Sequence, residues 1–277
     1  MKSILVATDL SERSDRAIER AAQLASQSGA SLCVLHVVDA DLPSAMADEI
    51  AEGAKEQITS LLAKDNIKAE VLVEFGDAWL TISEVLAAMK ADLLVLGTHR
   101  HRGFAELFRG TTVERITKQS NVPVLMVKDP VMGPYARPLV GVDYSKCSAR
   151  ALQVARDLVP DATLTIVNGY HVPFKGLTER TDAHGQMSKR DTEKYQSEAR
   201  DALGQFLDGI DHDLGKVDTV VKEGGGAVLI AAVAEKRDAD LVCVGSHARS
   251  WLAGALLGST AVDLMASGAT DILVTPL

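Results

Sequence analysis

Short apolar runs alternate along this chain with longer stretches in which apolar residues recur every three or four positions. The first pattern suits strands buried on both faces, and the second suits helices with one buried stripe. In the first part of the chain, Ser3–Thr8, Ser31–Val38, Ala69–Glu74, Asp92–Gly97 and Val122–Val127 read as five strands. Between them lies a helix capped at Ser14, with Ala17, Ile18, Ala21, Ala22, Leu24 and Ala25 on its apolar side and Gly29 as its stop. Further helices are predicted at Ala45–Ala63, Ala78–Met89 and Thr112–Gln119. A second series follows, with strands at Leu139–Val142, Thr163–Gly169, Val217–Lys222, Asp240–Gly245 and Asp271–Thr275. Its helices are expected near Ser148–Leu158, Thr192–Phe206, Ala227–Lys236 and Thr260–Ser267. Strands alternating with helices predict doubly wound α/β architecture, a parallel sheet with helices on both faces.

The two series are copies. Ile4–Ser11 returns as Pro138–Ser145, Ala91–His99 as Ala239–His247, and Gly110-Thr111-Thr112 as Gly258-Ser259-Thr260. Each copy has the size of an ordinary domain, several times a solenoid unit, so two tandem domains with separate cores are expected. The division falls at residues 1–128 and 137–277, with 129–136 as a linker in which Pro130, Gly133 and Pro134 discourage regular structure. The spacing between copies grows from 134 residues at Asp143 to 148 at Gly245. The added residues fall mainly in Pro173–Arg190, whose lack of periodicity reads as a surface loop, with a functional lid as the alternative.

Composition narrows the partners. A net charge of −9 repels phosphodiester backbones, which argues against nucleic acid. No apolar run approaches the roughly 20 residues that span a bilayer, and no signal-peptide pattern opens the chain, so a cytoplasmic protein is expected. Cys33, Cys147 and Cys243 are too scattered for a disulfide frame or metal cluster and read as small buried hydrophobes.

Ligands of a doubly wound sheet bind beyond the carboxyl ends of the strands, where strand order reverses. Asp9 and Asp143 end the first strand of each copy, Gly97 and Gly245 end the fourth, and Gly110-Thr111 and Gly258-Ser259 open the following helix. Glycine admits close backbone approach, and helix-start N–H groups and hydroxyls offer donors to an anion. A phosphate-bearing ligand in each half is one reading; ordinary structural punctuation is the other. His99 and His247 read as structural hydrogen-bonding groups, and Gly224-Gly225-Gly226 as the loop after a third strand. Trp79 and Trp251 do not match in the repeat, and no catalytic triad order, metal-ligand spacing or carboxylate pair stands out.

Taken in order, a strand ending in Asp with Ser two residues on, Leu35-His36-Val37-Val38, Gly-Thr-His or Gly-Ser-His, and then Gly-Thr or Gly-Ser resemble the universal stress protein family. The resemblance covers nearly the whole chain and is closest to tandem members. It implies two Rossmann-like domains of the HUP type, each with a five-stranded parallel sheet. It also implies an adenine nucleotide as ligand, ATP or a relative, with Mg²⁺ accompanying it. By this resemblance Asp9 holds the ribose, Val37 meets the adenine edge through its backbone, and Gly97, Gly110, Thr111 and Thr112 surround the phosphates. Their counterparts are Asp143, Gly169, Gly245, Gly258, Ser259 and Thr260. The family's phosphate signature has a glycine where this chain has Arg100 and Ala248. Arg100 either replaces a backbone contact with a guanidinium or obstructs the site. Arg100, Arg102 and Arg109, together with His36-Val37, favour the first half if only one binds. The resemblance further implies an internal pseudo-dimer through the terminal strands, with homodimerisation and an unidentified protein partner left open. The rival readings are a nucleotide-independent stress protein acting through its surface, and a slow ATPase for which no water-activating residue is evident.

Overall fold

The computed structural model describes residues 1–98, 120–172, 189–246, 259–267 and 270–277. The helix expected at Thr112–Gln119 and most of the Pro173–Arg190 segment lie outside them.

Strand β1 (Ser3–Thr8) leads into helix α1 (Glu12–Ser28), which begins one turn earlier than its apolar pattern predicts. Two serines compete for the cap, and the backbone decides between them. Ser11 is extended, at φ −91°, and accepts from the Ser14 amide, while the Ser14 hydroxyl accepts from the Ser11 amide at 3.1 Å. Ser14 is thus the third helical residue of a capping box. Gly29 ends the helix in the left-handed region, at φ 70°, where only glycine is unstrained. The second copy repeats the device: Ser145 caps α4 (Lys146–Leu158) by accepting from Ser148, which the sequence had placed at the start.

The remaining first-half elements are β2 (Ser31–Val38), α2 (Ser44–Lys64), β3 (Glu70–Phe75), α3 (Ala78–Met89), β4 (Leu93–Gly97) and β5 (Val124–Val127). The second half runs β6 (Pro138–Val142), α4, β7 (Leu164–Tyr170), α5 (Lys189–Asp208), β8 (Val217–Glu223) and α6 (Gly226–Arg237). It closes with β9 (Leu241–Gly245), α7 (Ser259–Ser267) and β10 (Asp271–Thr275).

Within each half the five strands are parallel, ordered β3-β2-β1-β4-β5 and β8-β7-β6-β9-β10. The two sets join antiparallel through β5 and β10 into one ten-stranded sheet. Leu125 pairs with Leu273, its own counterpart in the repeat, while Val124 pairs with Val274 and Met126 with Ile272. Counterpart facing counterpart is the signature of a local two-fold axis through the seam.

This join overturns the expectation of separate cores. One apolar cluster packs α1, α2, α4 and α5 on one face of the sheet, and another packs α3, α6 and α7 on the other. Each contains residues of both halves: Val95, Leu125 and Leu273 lie on one side, and Leu94, Met126 and Ile272 on the other. Successive residues of a strand point to opposite faces, so a sheet continuous across the seam makes both layers continuous too.

Candidate functional site

Strand order reverses between β1 and β4 in the first half and between β6 and β9 in the second, which opens a crevice at the carboxyl ends of those strands. In the second half this crevice is a cavity of about 300 Å³. Asp143, Asn168, Gly169, Gly245 and Thr260 line it, brought together from three strand ends and the first turn of α7. Gly225 and Gly226, at the start of α6, complete the wall.

Each first-strand aspartate is held by the serine that caps the following helix. Asp143 Oδ1 accepts from the Ser145 amide at 3.1 Å and from its hydroxyl at 2.6 Å, and Asp9 Oδ1 accepts from Ser11 in the same way at 3.1 and 2.5 Å. Between aspartate and serine the chain turns through a left-handed residue, Leu10 at φ 62° or Tyr144 at φ 63°. The carboxylates are thereby fixed at the crevice mouth, where both aspartates are exposed.

Asn168 replaces His36 in the repeat without losing its bond. The His36 imidazole lies 2.9 Å from the Thr8 carbonyl through Nδ1, and the Asn168 amide donates to the Val142 carbonyl at 2.9 Å. A carbonyl only accepts, so His36 carries its proton on Nδ1. The Tyr144 hydroxyl donates to Asn168 Oδ1 at 2.8 Å and its ring meets Phe206 edge-on, at 5.6 Å between centroids. Burial holds the Tyr144 phenol above its ordinary pKa.

Close packing explains the glycines at the strand ends. A Cβ at Gly245 would lie 2.5 Å from the Cys147 carbonyl carbon, and one at Gly97 would lie 2.8 Å from the Arg13 carbonyl oxygen. The first turns of α4 and α1 therefore sit directly on the ends of β9 and β4. At Gly169 a Cβ would collide with the Gly224 carbonyl oxygen, so the valine that the first half carries at Val37 does not fit here.

In the first half, Thr8 pairs with His36 and Ala7 with Leu96, which sets Asp9, Val37 and Gly97 side by side at the ends of β1, β2 and β4. Arg100, Gly110, Thr111, Thr112, Ala248 and Gly258 lie outside the described residues, as do His99, His247 and Trp251. Ser259 opens α7 beside Thr260. Two lining residues escaped the sequence: Tyr144 and His171. Their counterparts are Leu10 and Asp39, so a search for repeated residues passes over them. Gly225 is the signal for His171, because a Cβ there would lie 2.9 Å from His171 Nε2.

Among the described residues, no three His, Cys, Asp or Glu side chains converge on a metal position, and no helix is long and apolar enough to cross a membrane. All three cysteines are buried and free, and burial pushes the Cys33 thiol up to about 12.

Comparison with known proteins places the chain in a family. A universal stress protein of Methanocaldococcus jannaschii is 30% identical over 144 residues, 47% of this chain and 83% of its own. Universal stress protein A homolog 1 of Coxiella burnetii is 31% identical over 139 residues, 46% of this chain and 95% of its own. Across the whole length, the crystal structure of a universal stress protein from Archaeoglobus fulgidus superposes with a TM-score of 0.71 at 23% identity, covering 99% of this chain and 98% of that one. The sequence profile of the universal stress protein family matches residues 1–128 and again 134–276. The chain therefore belongs to the universal stress protein family, as a member with two copies of the domain in tandem.

Proposed function

We propose that this protein is an adenine-nucleotide-binding stress-response module, with ATP and its accompanying Mg²⁺ as the ligand of the strand-end crevices. One observation carries the reading: Asp143, Gly169, Gly245 and Thr260, assigned to nucleotide by family resemblance, line a single cavity. Its chemistry suits the ligand from end to end. An exposed carboxylate accepts from a ribose diol, the backbone at Gly169 can meet the adenine edge, and the start of α7 offers N–H groups and a hydroxyl to phosphate. About 300 Å³ lies at the lower end of the range for small-molecule sites. With no cluster of acidic or imidazole ligands among the described residues, Mg²⁺ would arrive on the phosphates. Asp9, Val37 and Gly97 form the corresponding floor of a first-half site, to which Arg100, Gly110, Thr111 and Thr112 would add the phosphate wall. We take the first half as the tighter site, on the strength of Arg100, Arg102 and Arg109.

Mass spectrometry of the small molecules released on denaturing freshly purified protein should find adenine nucleotide. In calorimetry, Gly110→Asp should remove the tighter site and Gly258→Asp the weaker, since each sets a negative side chain against the phosphates. A larger loss from Gly258→Asp would reverse the assignment of halves. Arg100 and Ala248, which interrupt both signatures, favour the rival of a nucleotide-free protein acting through its surface. That reading requires no released nucleotide and no heat of binding.

A further inference from the structure

The seam between the halves is symmetric in its backbone and asymmetric in its charges. Asp271, at the start of β10, is fully buried. Its carboxylate accepts from the Lys128 amide at 2.7 Å, the Asp129 amide at 3.1 Å and the Tyr135 hydroxyl at 2.5 Å. Arg20 of α1 completes the cluster, its Nε 3.6 Å from Asp271 Oδ2 and its side chain only 5% exposed. The Arg20 guanidinium lies over the Tyr135 ring, 4.0 Å from the centroid, and donates to the Gly133 carbonyl at 2.8 Å. Also across the seam, the Lys128 ammonium donates to the Leu264 and Met265 carbonyls of α7, at 3.2 and 3.0 Å.

None of this is duplicated on the other side of the two-fold axis. In the repeat Asp271 corresponds to Pro123, Arg20 to Val154 and Lys128 to Pro276. Pro276 has no N–H, so it could not make the bond that the Lys128 amide makes to Asp271. If two first halves met through this edge, each Arg20 would be buried against Pro123 where Asp271 now stands, keeping only the more distant charge of Asp129. If two second halves met, each Asp271 would be buried against Val154, lacking its cation and the amide donor that Lys128 supplies. Two-fold symmetry would impose either defect twice, and an uncompensated buried charge is strongly destabilising.

We propose that this seam is an interaction surface keyed to a single partner, the unlike half of the same protein, and that it rejects a second copy of either half. The backbone pairing of β5 with β10 is permissive, because any two edges of this shape offer the same hydrogen bonds. The Arg20–Asp271–Tyr135 cluster supplies the discrimination, through a buried ion pair that no like pairing can form.

The test starts from the intact chain. A protease site inserted between Pro130 and Val131 allows the folded protein to be cut, and the pieces to be separated in urea, refolded together and counted by native mass spectrometry. Unlike pairs should account for all but about a tenth of the complexes, and the Arg20→Met, Asp271→Asn double variant should raise like pairs several-fold. Random mixing in the unsubstituted protein, with like pairs making up half of all complexes, would overturn the proposal. Urea denaturation of the uncut chain gives an independent reading should the cut pieces not refold. There Arg20→Met and Asp271→Asn should each lower the midpoint strongly, with the double variant recovering most of the loss because no charge is left unpaired. Additive losses would equally sink the idea.

Discussion

Gly245 and Gly53 show how differently one residue type can be constrained. At Gly245 a Cβ would sit 2.5 Å from the Cys147 carbonyl carbon and 2.8 Å from its oxygen, so the first turn of α4 would have to retreat from β9. Gly245→Ala is expected to cost on the order of 1 to 3 kcal/mol by overpacking, read from urea denaturation, whatever the ligand state. Gly53 lies exposed in the middle of α2, with nothing within 4 Å of an added Cβ. Gly53→Ala should therefore stabilise, by roughly 0.5 to 1 kcal/mol, because alanine loses less backbone entropy and favours the helix. Equal effects would show that the tight contact at Gly245 relaxes without penalty. The strand-end glycine of the family signature thus has a packing role that is separate from any phosphate.

Among the elements, α7 is held at its carboxyl end by the other half of the chain. The Lys128 ammonium donates to two of its last carbonyls, where a cation also suits the helix dipole. Burial nevertheless pushes this ammonium down from 10.5 to about 8, with Asp271 and Asp129 opposing the shift. Between those values the unfolded chain holds a proton that the native protein has released, so Lys128 makes stability rise with pH across that window. The buried thiols act in the opposite direction. Cys33, Cys147 and Cys243 are all raised above 9.0, so the unfolded chain ionises first and stability falls above that pH. Comparing the natural protein with Lys128→Met cancels the thiols. From about pH 7 to about pH 10 the natural protein should gain on the variant in urea midpoint, and a constant difference would mean that the ammonium is solvated in the folded state.

For the molecule as a whole, the continuous sheet and its two shared apolar layers leave neither half an independent core. The expected consequence is a single cooperative unfolding transition. Each half contains one tryptophan, Trp79 in α3 and Trp251 in the second half by sequence position. Trp79→Phe and Trp251→Phe variants each leave a reporter on the other half, and their fluorescence midpoints in urea should coincide once each variant is referred to its own far-UV transition. Separate transitions would mean that the seam yields before the halves do.

Hydrophobic periodicity and the internal repeat were enough to place every described strand to within about two residues, because both signals are local and a buried strand must be apolar on both faces. They also singled out Asp143 and Gly245, each paired with a residue in the other copy at a strand end, whereas Gly169 and Thr260 were assigned through the family resemblance. Tyr144 and His171 were not legible, since Leu10 and Asp39 stand at their places in the other copy and they carry no periodic signal. The start of α1 was misplaced because either Ser11 or Ser14 can cap, and only the extended backbone at Ser11 selects between them. Charge pairing across the seam lay furthest from view. Nothing local marks Asp271 as the partner of Arg20; the two meet because β10 closes against β5, and which sheet edges meet is settled by the whole chain burying both layers at once.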